Sequence, residues 1–149
     1  KNLAKVSGRP GATRLINFFR IDRKWSLVDL PGYGYAKRGK GTRDEFEDMI
    51  ADYLTGREAL RCAFVLLSGE LPPQQVDLEF CGWLALQGVP FVLVFTKADK
   101  VKKGRLEANV AAFLEEFAEY CDGEPRVFLS SAKNGEGRRE LLAFLSQAM

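Results

Sequence analysis

The sequence predicts an α/β protein with a mostly parallel sheet, one antiparallel strand and helices on both faces. Strand-like runs alternate with helix-length amphipathic runs along the chain, which is the pattern of a parallel sheet crossed by helices. Runs such as Pro90–Phe95 are almost wholly apolar, as expected of strands that are covered on both faces. The length of 149 residues suits one compact domain, so we expect a single domain over 1–149.

The first two strands are expected to form a hairpin. Arg14–Ile21 and Lys24–Leu30 are strand-like runs, and only Asp22 and Arg23 separate them. So short a loop joins antiparallel neighbours.

The remaining elements alternate between strands and helices. We predict strands at Ala63–Leu67, Pro90–Phe95 and Arg126–Leu129, of which the first two are buried on both faces. Val101–Arg105 is expected to be a solvated loop. Helices are predicted from apolar residues at helical spacing, in four groups: Phe46, Met49, Ile50, Tyr53 and Leu54; Val76, Phe80, Trp83, Leu84 and Gln87; Leu106, Val110, Phe113, Leu114 and Phe117; Leu141, Leu142 and Leu145. The aromatic residues expected in the core are Phe18, Phe19, Trp25, Phe46 and Phe113.

Composition excludes several kinds of chemistry. The chain has no histidine, so imidazole catalysis is excluded. Cys62, Cys81 and Cys121 lie far apart without a C-x-x-C pair, which argues against a metal site or a disulfide framework and favours the cytoplasm. A net charge of +2 is too small to predict nucleic-acid binding by itself, and no apolar run is long enough for a membrane span.

Three short loops follow the predicted strands, at the edge where parallel sheets bind ligands. The first is D-L-P-G, Asp29–Gly32. An aspartate that leaves a strand can hold Mg²⁺ through water, and a glycine lets its N–H approach a phosphate closely. Pro-Gly is by itself an ordinary turn, so this loop alone is weak support.

The other two loops have the chemistry of base recognition. In T-K-A-D, Thr96–Asp99, the Asp99 carboxylate could accept hydrogen bonds from guanine N1–H and N2–H₂, while the Lys97 stem crosses the base or ribose. In S-S-A-K, Ser130–Lys133, the N–H of Ala132 could reach guanine O6. Either loop could equally be a helix cap. All three loops in this order indicate a nucleotide site.

The three loops resemble the G3, G4 and G5 motifs of translation-factor-like GTPases. The whole chain resembles the EngB family of bacterial ribosome-assembly GTPases, also called YihA or YsxC, most specifically in "LINFFRIDRKWSLVDLPGYGYAKRGK", "DLEFCGWL" and "GVPFVLVFTKADK". The resemblance implies a three-layer P-loop GTPase (G domain) fold with GTP/GDP and Mg²⁺ as cofactors. Two departures are Arg9, where the family usually has threonine, and Ser68, which replaces an aspartate.

The resemblance also implies which residues meet the nucleotide. Thr13, in switch I, would contact Mg²⁺ and the γ-phosphate, and Asp29 would face them, so these two are the predicted metal ligands. Asp99 would hold the base, and no catalytic side chain is predicted. The full predicted set is Gly11, Ala12, Thr13, Arg14 and Leu15; Asp29, Leu30, Pro31 and Gly32; Thr96, Lys97, Ala98 and Asp99; Ser130, Ser131, Ala132 and Lys133.

Gly34–Gly41 reads G-Y-A-K-R-G-K-G, close to the phosphate-loop pattern G-x-x-x-x-G-K-[ST]. The resemblance assigns this segment to switch II, and Gly41 lacks the hydroxyl that a phosphate loop offers to Mg²⁺. Thr42 is predicted to cap the next helix. No other segment fits the pattern. The family carries its first strand and P-loop upstream, so we expect a longer protein, and we expect the present chain alone to be inactive.

The function that the resemblance implies is a slow, Mg²⁺-dependent GTP hydrolase switch in the intact protein. It would assist assembly of the large ribosomal subunit, with a family link to cell division and septation. Tyr33 stands where many GTPases have the glutamine that orients water, so hydrolysis should be slow. The expected partner is the large-subunit precursor, RNA and protein, with no membrane and no DNA, and the expected state is a monomer. The basic residues Lys37, Arg38, Lys40 and Arg43 could touch ribosomal RNA or simply be solvated.

Two other functions fit parts of the sequence. The first is an ATP-using P-loop enzyme whose phosphate loop is 34–41. The second is a nucleotide-free α/β scaffold that binds RNA or protein through its basic loop. The scaffold predicts no guanine dependence, and the enzyme predicts that Gly41→Ser improves nucleotide binding.

Overall fold

The computed structural model of the chain describes residues 15–33 and 40–148, and for residues 40–46 it describes the backbone alone. Predicted site residues Gly11, Ala12, Thr13 and Arg14 lie outside the described residues, as do positions 34–39 of the glycine-rich segment. The chain divides into two compact units, Lys1–Glu58 and Ala59–Met149, and each is described by itself. The single domain over 1–149 stays a prediction.

The first unit contains the predicted hairpin. β1 (Asn17–Ile21) pairs antiparallel with β2 (Trp25–Asp29), with Ile21 opposite Trp25. Asp22 and Arg23 both have positive φ, 46° and 58°, which matches the mirror-image turns that suit the twist of a hairpin. The hairpin prediction is confirmed, although β1 begins three residues later than expected.

The helix of the first unit is α1 (Lys40–Gly56). It begins two residues before Thr42, so the prediction that Thr42 caps this helix is wrong. The prediction that Phe18 is core is also wrong, because its side chain is 50% exposed. Phe18 instead makes an edge contact with Tyr53, and the Arg57 guanidinium lies 5.0 Å from the Phe18 ring centre. The Arg57 cation interacts with the face of the Phe18 ring, which is therefore partly covered although it is not buried in the core.

The second unit has a three-stranded parallel sheet in the order β3-β4-β5 with helices between the strands. This is the predicted mostly parallel α/β class. The carboxyl ends are level, because Ser68 pairs with Thr96 and Phe95 pairs with Leu129. The elements are β3 (Ala63–Ser68), α2 (Gln75–Leu86), β4 (Phe91–Thr96), a 3₁₀ turn (Ala98–Lys100), α3 (Lys103–Phe117), β5 (Val127–Leu129) and α4 (Arg138–Ala148).

Helices cover both faces of this sheet. On one face Phe91 and Phe95 of β4 meet Phe117 and Phe113 of α3, edge to face. On the other face Val92 and Val94 of β4 join Phe128 in a cluster against which Phe64, Leu141 and Phe144 pack. Alternate residues of β4 therefore point to opposite layers, which explains its continuous apolar sequence.

Three predictions about the second unit need correction. Leu66 is 65% exposed, so β3 is not buried on both faces; among the described residues it pairs only with β4 and forms the sheet edge. α2 buries Leu78, Cys81 and Leu84, so only Leu84 of the predicted set is buried. Apolar residues occur all round this helix, among Gln75, Asp77 and Glu79, so periodicity does not identify the buried face. Residues 103–105 of the predicted solvated loop form the first turn of α3.

Candidate functional site

The structure brings two of the three predicted loops together. β4 ends at Thr96 and β5 ends at Leu129, side by side in the parallel sheet. The backbone N–H of Ser130 donates to the Phe95 carbonyl at 2.8 Å, and the N–H of Ala98 donates to the Ser130 carbonyl at 3.1 Å. Thr96–Asp99 and Ser130–Lys133 therefore form one continuous surface at the carboxyl edge of the sheet.

The first of these loops turns sharply at Lys97. This residue has φ 59° and ψ 33°, in the left-handed region, and Ala98 behind it is buried. The Thr96 hydroxyl donates to the Leu67 carbonyl of β3 at 2.9 Å. The turn leads directly into the 3₁₀ turn that carries Asp99, so the backbone fixes where the Asp99 carboxylate lies.

Asp99 and Ser131 form the centre of the site. The Ser131 hydroxyl donates a hydrogen bond to Asp99 Oδ1 at 2.5 Å, and Ser131 is 2% exposed. Ser131 Oγ accepts in turn from the backbone N–H of Lys133 at 3.2 Å. Asp99 Oδ2 is buried and accepts no hydrogen bond from the residues that the structure describes. A buried carboxylate oxygen without a donor is costly, so this oxygen is suited to accept hydrogen bonds from a ligand.

The surroundings keep Asp99 ionised. The hydrogen bond from Ser131 is the main cause that lowers the pKa of Asp99 below its ordinary value of 3.8. Its own backbone N–H and the positive charges of Lys133 and Lys100 lower this pKa further, whereas burial raises it. At neutral pH Asp99 is therefore an acceptor-only group.

The second loop depends on two glycines that sequence reasoning missed. Gly137 has φ 73°, and a Cβ at this position would lie 1.8 Å from the Leu129 carbonyl oxygen. Gly135, at φ 81°, donates from its N–H to the Ser131 carbonyl at 2.9 Å. The N-G-E-G run after S-S-A-K was the available signal, since paired glycines mark positions that need left-handed backbone. Ala132 and Lys133 are exposed at the tip of this loop.

The remaining predicted loop, Asp29–Gly32, lies in the first unit. Asp29 is the last residue of β2 and is half-buried, like Leu30. Pro31 is buried, and a Cβ built on exposed Gly32 would meet no atom of the described residues within 4 Å. The predicted site residue Leu15 is 71% exposed. A common site of Asp29–Gly32 with the loops Thr96–Asp99 and Ser130–Lys133 stays a prediction.

The donor chemistry at Asp29 fits Mg²⁺. This ion binds through one or two carboxylates and keeps several waters, so it needs no cluster of acidic side chains. Among the side chains described in 15–33 and 47–148, no group of three or more Cys, Asp or Glu could hold a metal ion. All three cysteines are free thiols. The helices in the described ranges are too short or too polar to cross a membrane.

Sequence reasoning also missed two residues, Glu70 and Asn109, which lie beside the loop Thr96–Asp99 or support its neighbour. Glu70 Oε2 lies 3.3 Å from Lys97 Nζ. Asn109, buried at 5% exposure in α3, donates to the Gly69 carbonyl at 2.8 Å. A polar residue on the apolar stripe of α3 was a signal for Asn109, whereas Glu70 lies in a loop without a distinctive pattern.

Known proteins match the chain over most of its length. A family profile described as "50S ribosome-binding GTPase" matches residues 1–97. The "Probable GTP-binding protein EngB" of Bacteroides thetaiotaomicron is 47% identical over 145 residues, which are 97% of this chain and 72% of that protein. The protein of the same name from Flavobacterium johnsoniae is 44% identical over 148 residues, 99% of this chain and 70% of that protein.

Solved structures agree on the fold. A crystal structure of a probable GTP-binding protein EngB matches with a TM-score of 0.75 at 20% identity, over 89% of this chain and 80% of that chain. The elongation factor SelB of Methanococcus maripaludis, in complex with the GTP analogue GppNHp, matches with a TM-score of 0.66 at 19% identity, over 89% of this chain and 27% of that chain. The fold is that of P-loop GTPases, and the sequence matches show that the chain belongs to the EngB family of GTP-binding proteins.

Proposed function

We propose that this protein binds GTP and GDP and, in its intact form, hydrolyses GTP slowly as a Mg²⁺-dependent switch that assists assembly of the large ribosomal subunit. The observation that carries this proposal is the Asp99 carboxylate. Ser131 holds one of its oxygens, and the other is buried without a donor among the described residues. Such a group is preorganised for a ligand that brings its own donors.

Guanine supplies those donors. Its N1–H and N2–H₂ groups point in the same direction and can donate two parallel hydrogen bonds to one carboxylate. Adenine has no such pair, so ionised Asp99 selects guanine over adenine. Lys97 would lie along the base or ribose, and Ala132 at the tip of the neighbouring loop would offer its N–H to guanine O6.

The family resemblance assigns the phosphates and Mg²⁺ to Asp29–Gly32 and Thr13. Asp29 would hold Mg²⁺ through water together with Thr13, and Gly32, which has no side chain, would let its N–H approach a phosphate closely. When bound, Mg²⁺ neutralises phosphate charge. Tyr33, half-buried after Gly32, has no amide with which to orient water, which supports slow intrinsic hydrolysis.

The ribosomal role rests on family membership. The family profile that matches residues 1–97 is described as ribosome-binding, and the basic residues between 37 and 43 could contact RNA phosphates in one nucleotide state. We extend the proposal to a monomeric, cytoplasmic protein whose partner is the large-subunit precursor, with the family's link to cell division and septation.

A titration with fluorescently labelled GDP and ADP in the presence of Mg²⁺ tests the nucleotide part. It would compare the full-length protein encoded by the gene with the 149-residue chain. Saturable binding of GDP and not ADP by the full-length protein supports the proposal. Equal affinity for ADP would favour the ATP-using enzyme, and no binding of either nucleotide by the full-length protein would favour the RNA- or protein-binding scaffold.

The ribosomal part has its own test. Sedimentation of the full-length protein with purified 50S subunits would be compared in GDP and in a non-hydrolysable GTP analogue. Co-sedimentation in only one nucleotide state supports a switch. Equal co-sedimentation in both nucleotide states contradicts a switch.

A further inference from the structure

Lys97 extends from Thr96–Asp99, here called the base loop, to an acidic side chain in the loop that follows β3. Its Nζ lies 3.3 Å from Glu70 Oε2. β3 and β4 are paired in parallel with Ser68 opposite Thr96, so Glu70 and Lys97 leave the sheet side by side. The ion pair connects the base loop with a loop that has no role in the proposed function.

The backbone holds Glu70 in a defined place. The N–H of Gly69 donates to the Thr96 carbonyl at 2.9 Å, and the buried Asn109 side chain donates to the Gly69 carbonyl at 2.8 Å. A Cβ at Gly69 would lie 2.9 Å from the Thr96 carbonyl oxygen and 2.6 Å from Leu106 Cδ1. Both the N–H and the carbonyl of Gly69 are thus hydrogen-bonded, and there is no space for a side chain at this position. The backbone therefore fixes the direction in which Glu70 extends.

Lys97 gains order from this neighbour. A lysine side chain has four rotatable bonds, and ordering them against a ligand costs conformational entropy. A partner that already holds the ammonium reduces this cost, because the stem is ordered before the ligand arrives. The Lys97 side chain is 59% exposed, so the stem remains accessible while its ammonium is paired.

We propose that Glu70 is a positioning residue for nucleotide binding, which holds the Lys97 ammonium so that the Lys97 stem is ordered for the guanine base and ribose. This rests on the proposed function, since it requires a guanine nucleotide at the base loop. Glu70 acts through Lys97 and does not touch the nucleotide. Its effect is to slow nucleotide dissociation.

The test measures the dissociation rate of labelled GDP from the full-length protein and from Glu70→Gln. We expect dissociation to be about two- to fivefold faster in the variant, the range that exposed ion pairs give in mutant cycles. The difference should shrink as salt rises, because exposed charges are screened. Glu107→Gln is the matched control: it makes the same charge change and breaks another lysine pair, with Lys103 at 3.8 Å.

A double-mutant cycle shows whether Glu70 acts through Lys97. Glu70→Gln should have no further effect in a Lys97→Met background. An unchanged dissociation rate in Glu70→Gln, or an equal acceleration with and without Lys97, overturns the proposal. Slower dissociation also overturns it, since Glu70 would then draw Lys97 away from the nucleotide. Failure of the wild-type protein to bind GDP at all would instead contradict the proposed function.

Discussion

The Ser131 hydroxyl donates a 2.5 Å hydrogen bond to Asp99 Oδ1, across 32 residues of sequence and between the loops that follow two neighbouring strands. Ser131 is also held in place by the residues that follow it, because its N–H donates to the Glu136 carbonyl at 3.1 Å. Asp99 therefore takes both its position and its low pKa from a residue of the adjacent loop. Nucleotide recognition at Asp99 should depend on side chains that do not contact the base.

Removal of the Ser131 hydroxyl should raise the pKa of Asp99. Ser131→Ala eliminates the main cause that lowers it, so the pKa should move up toward 3.8. Because the folded-state pKa lies below the unfolded one, this group contributes stability above pH 3.8 that is lost as the pH falls through the folded pKa. Ser131→Ala should reduce that contribution.

A carbon-detected NMR titration of the Asp99 carboxyl would measure this shift. Ser146→Ala is the matched control, since the Ser146 hydroxyl donates only to the Leu142 carbonyl within α4. A pKa of Asp99 that is the same in Ser131→Ala as in the wild type would show that the hydrogen bond is not its cause.

Asp99→Asn should change which base is bound. The amide offers a donor in place of one acceptor, so it meets guanine N1–H or N2–H₂ unfavourably but suits the carbonyl at C2 of xanthine. We expect GDP affinity to fall by about ten- to hundredfold, the usual loss for a hydrogen bond to a charged group, while affinity for xanthosine diphosphate rises. Competition against labelled GDP measures both, with the exposed Asp122→Asn as control. Unaltered base preference would remove Asp99 from the base site.

Gly137→Ala should strongly destabilise the second unit and the loop Ser130–Lys133. The new Cβ would collide with the Leu129 carbonyl oxygen, and the left-handed backbone at φ 73° disfavours any side chain. We expect a loss of at least about 2 kcal/mol in the free energy of unfolding. Gly104→Ala is the matched control, because in the first turn of α3 its Cβ would meet no atom of the described residues within 4 Å and should cause no loss of stability. Urea unfolding measures both, and equal midpoints would contradict the predicted clash.

Cys81 should resist alkylation until the protein unfolds. Burial, followed by the charges of Asp77 and Cys121, raises the pKa of the Cys81 thiol to about 12, and its side chain is fully buried. Because only the thiolate reacts, iodoacetamide should modify the half-buried Cys121 well before Cys81. Mass spectrometry of peptides over time distinguishes the two sites, with urea-unfolded protein as the control in which both react.

The same thiol affects stability at high pH. Its folded-state pKa lies above the ordinary value of 9.0, so its contribution to stability is complete below pH 9 and is lost between pH 9 and about 12. Cys81→Ser would remove this decrease in stability between pH 9 and about 12.

In the alkylation experiment, labelling of Cys81 in the native protein as rapid as that of Cys121 would show that α2 opens locally.

Much of the fold and part of the site could be read from the sequence. The apolar run of β4 predicted a strand between two layers, and the two residues between β1 and β2 predicted an antiparallel pair. T-K-A-D and S-S-A-K were identified because strand ends define where ligands bind. Errors arose where burial depends on neighbours far along the chain: Phe18 and Leu66 are apolar yet exposed, and α2 buries Leu78 rather than Val76.

The sequence by itself determined the fold class, the family and the candidate base-recognition loops. These depend on periodicity and short motifs, which are local properties that each involve only a few neighbouring residues. Only the tertiary structure decided which side chains support those loops. Ser131 reaches Asp99, Asn109 holds Gly69 and Glu70 pairs with Lys97 because β3, β4 and β5 lie side by side with level ends. Contacts between residues 27 to 40 positions apart arise from chain packing in three dimensions, which no local pattern encodes.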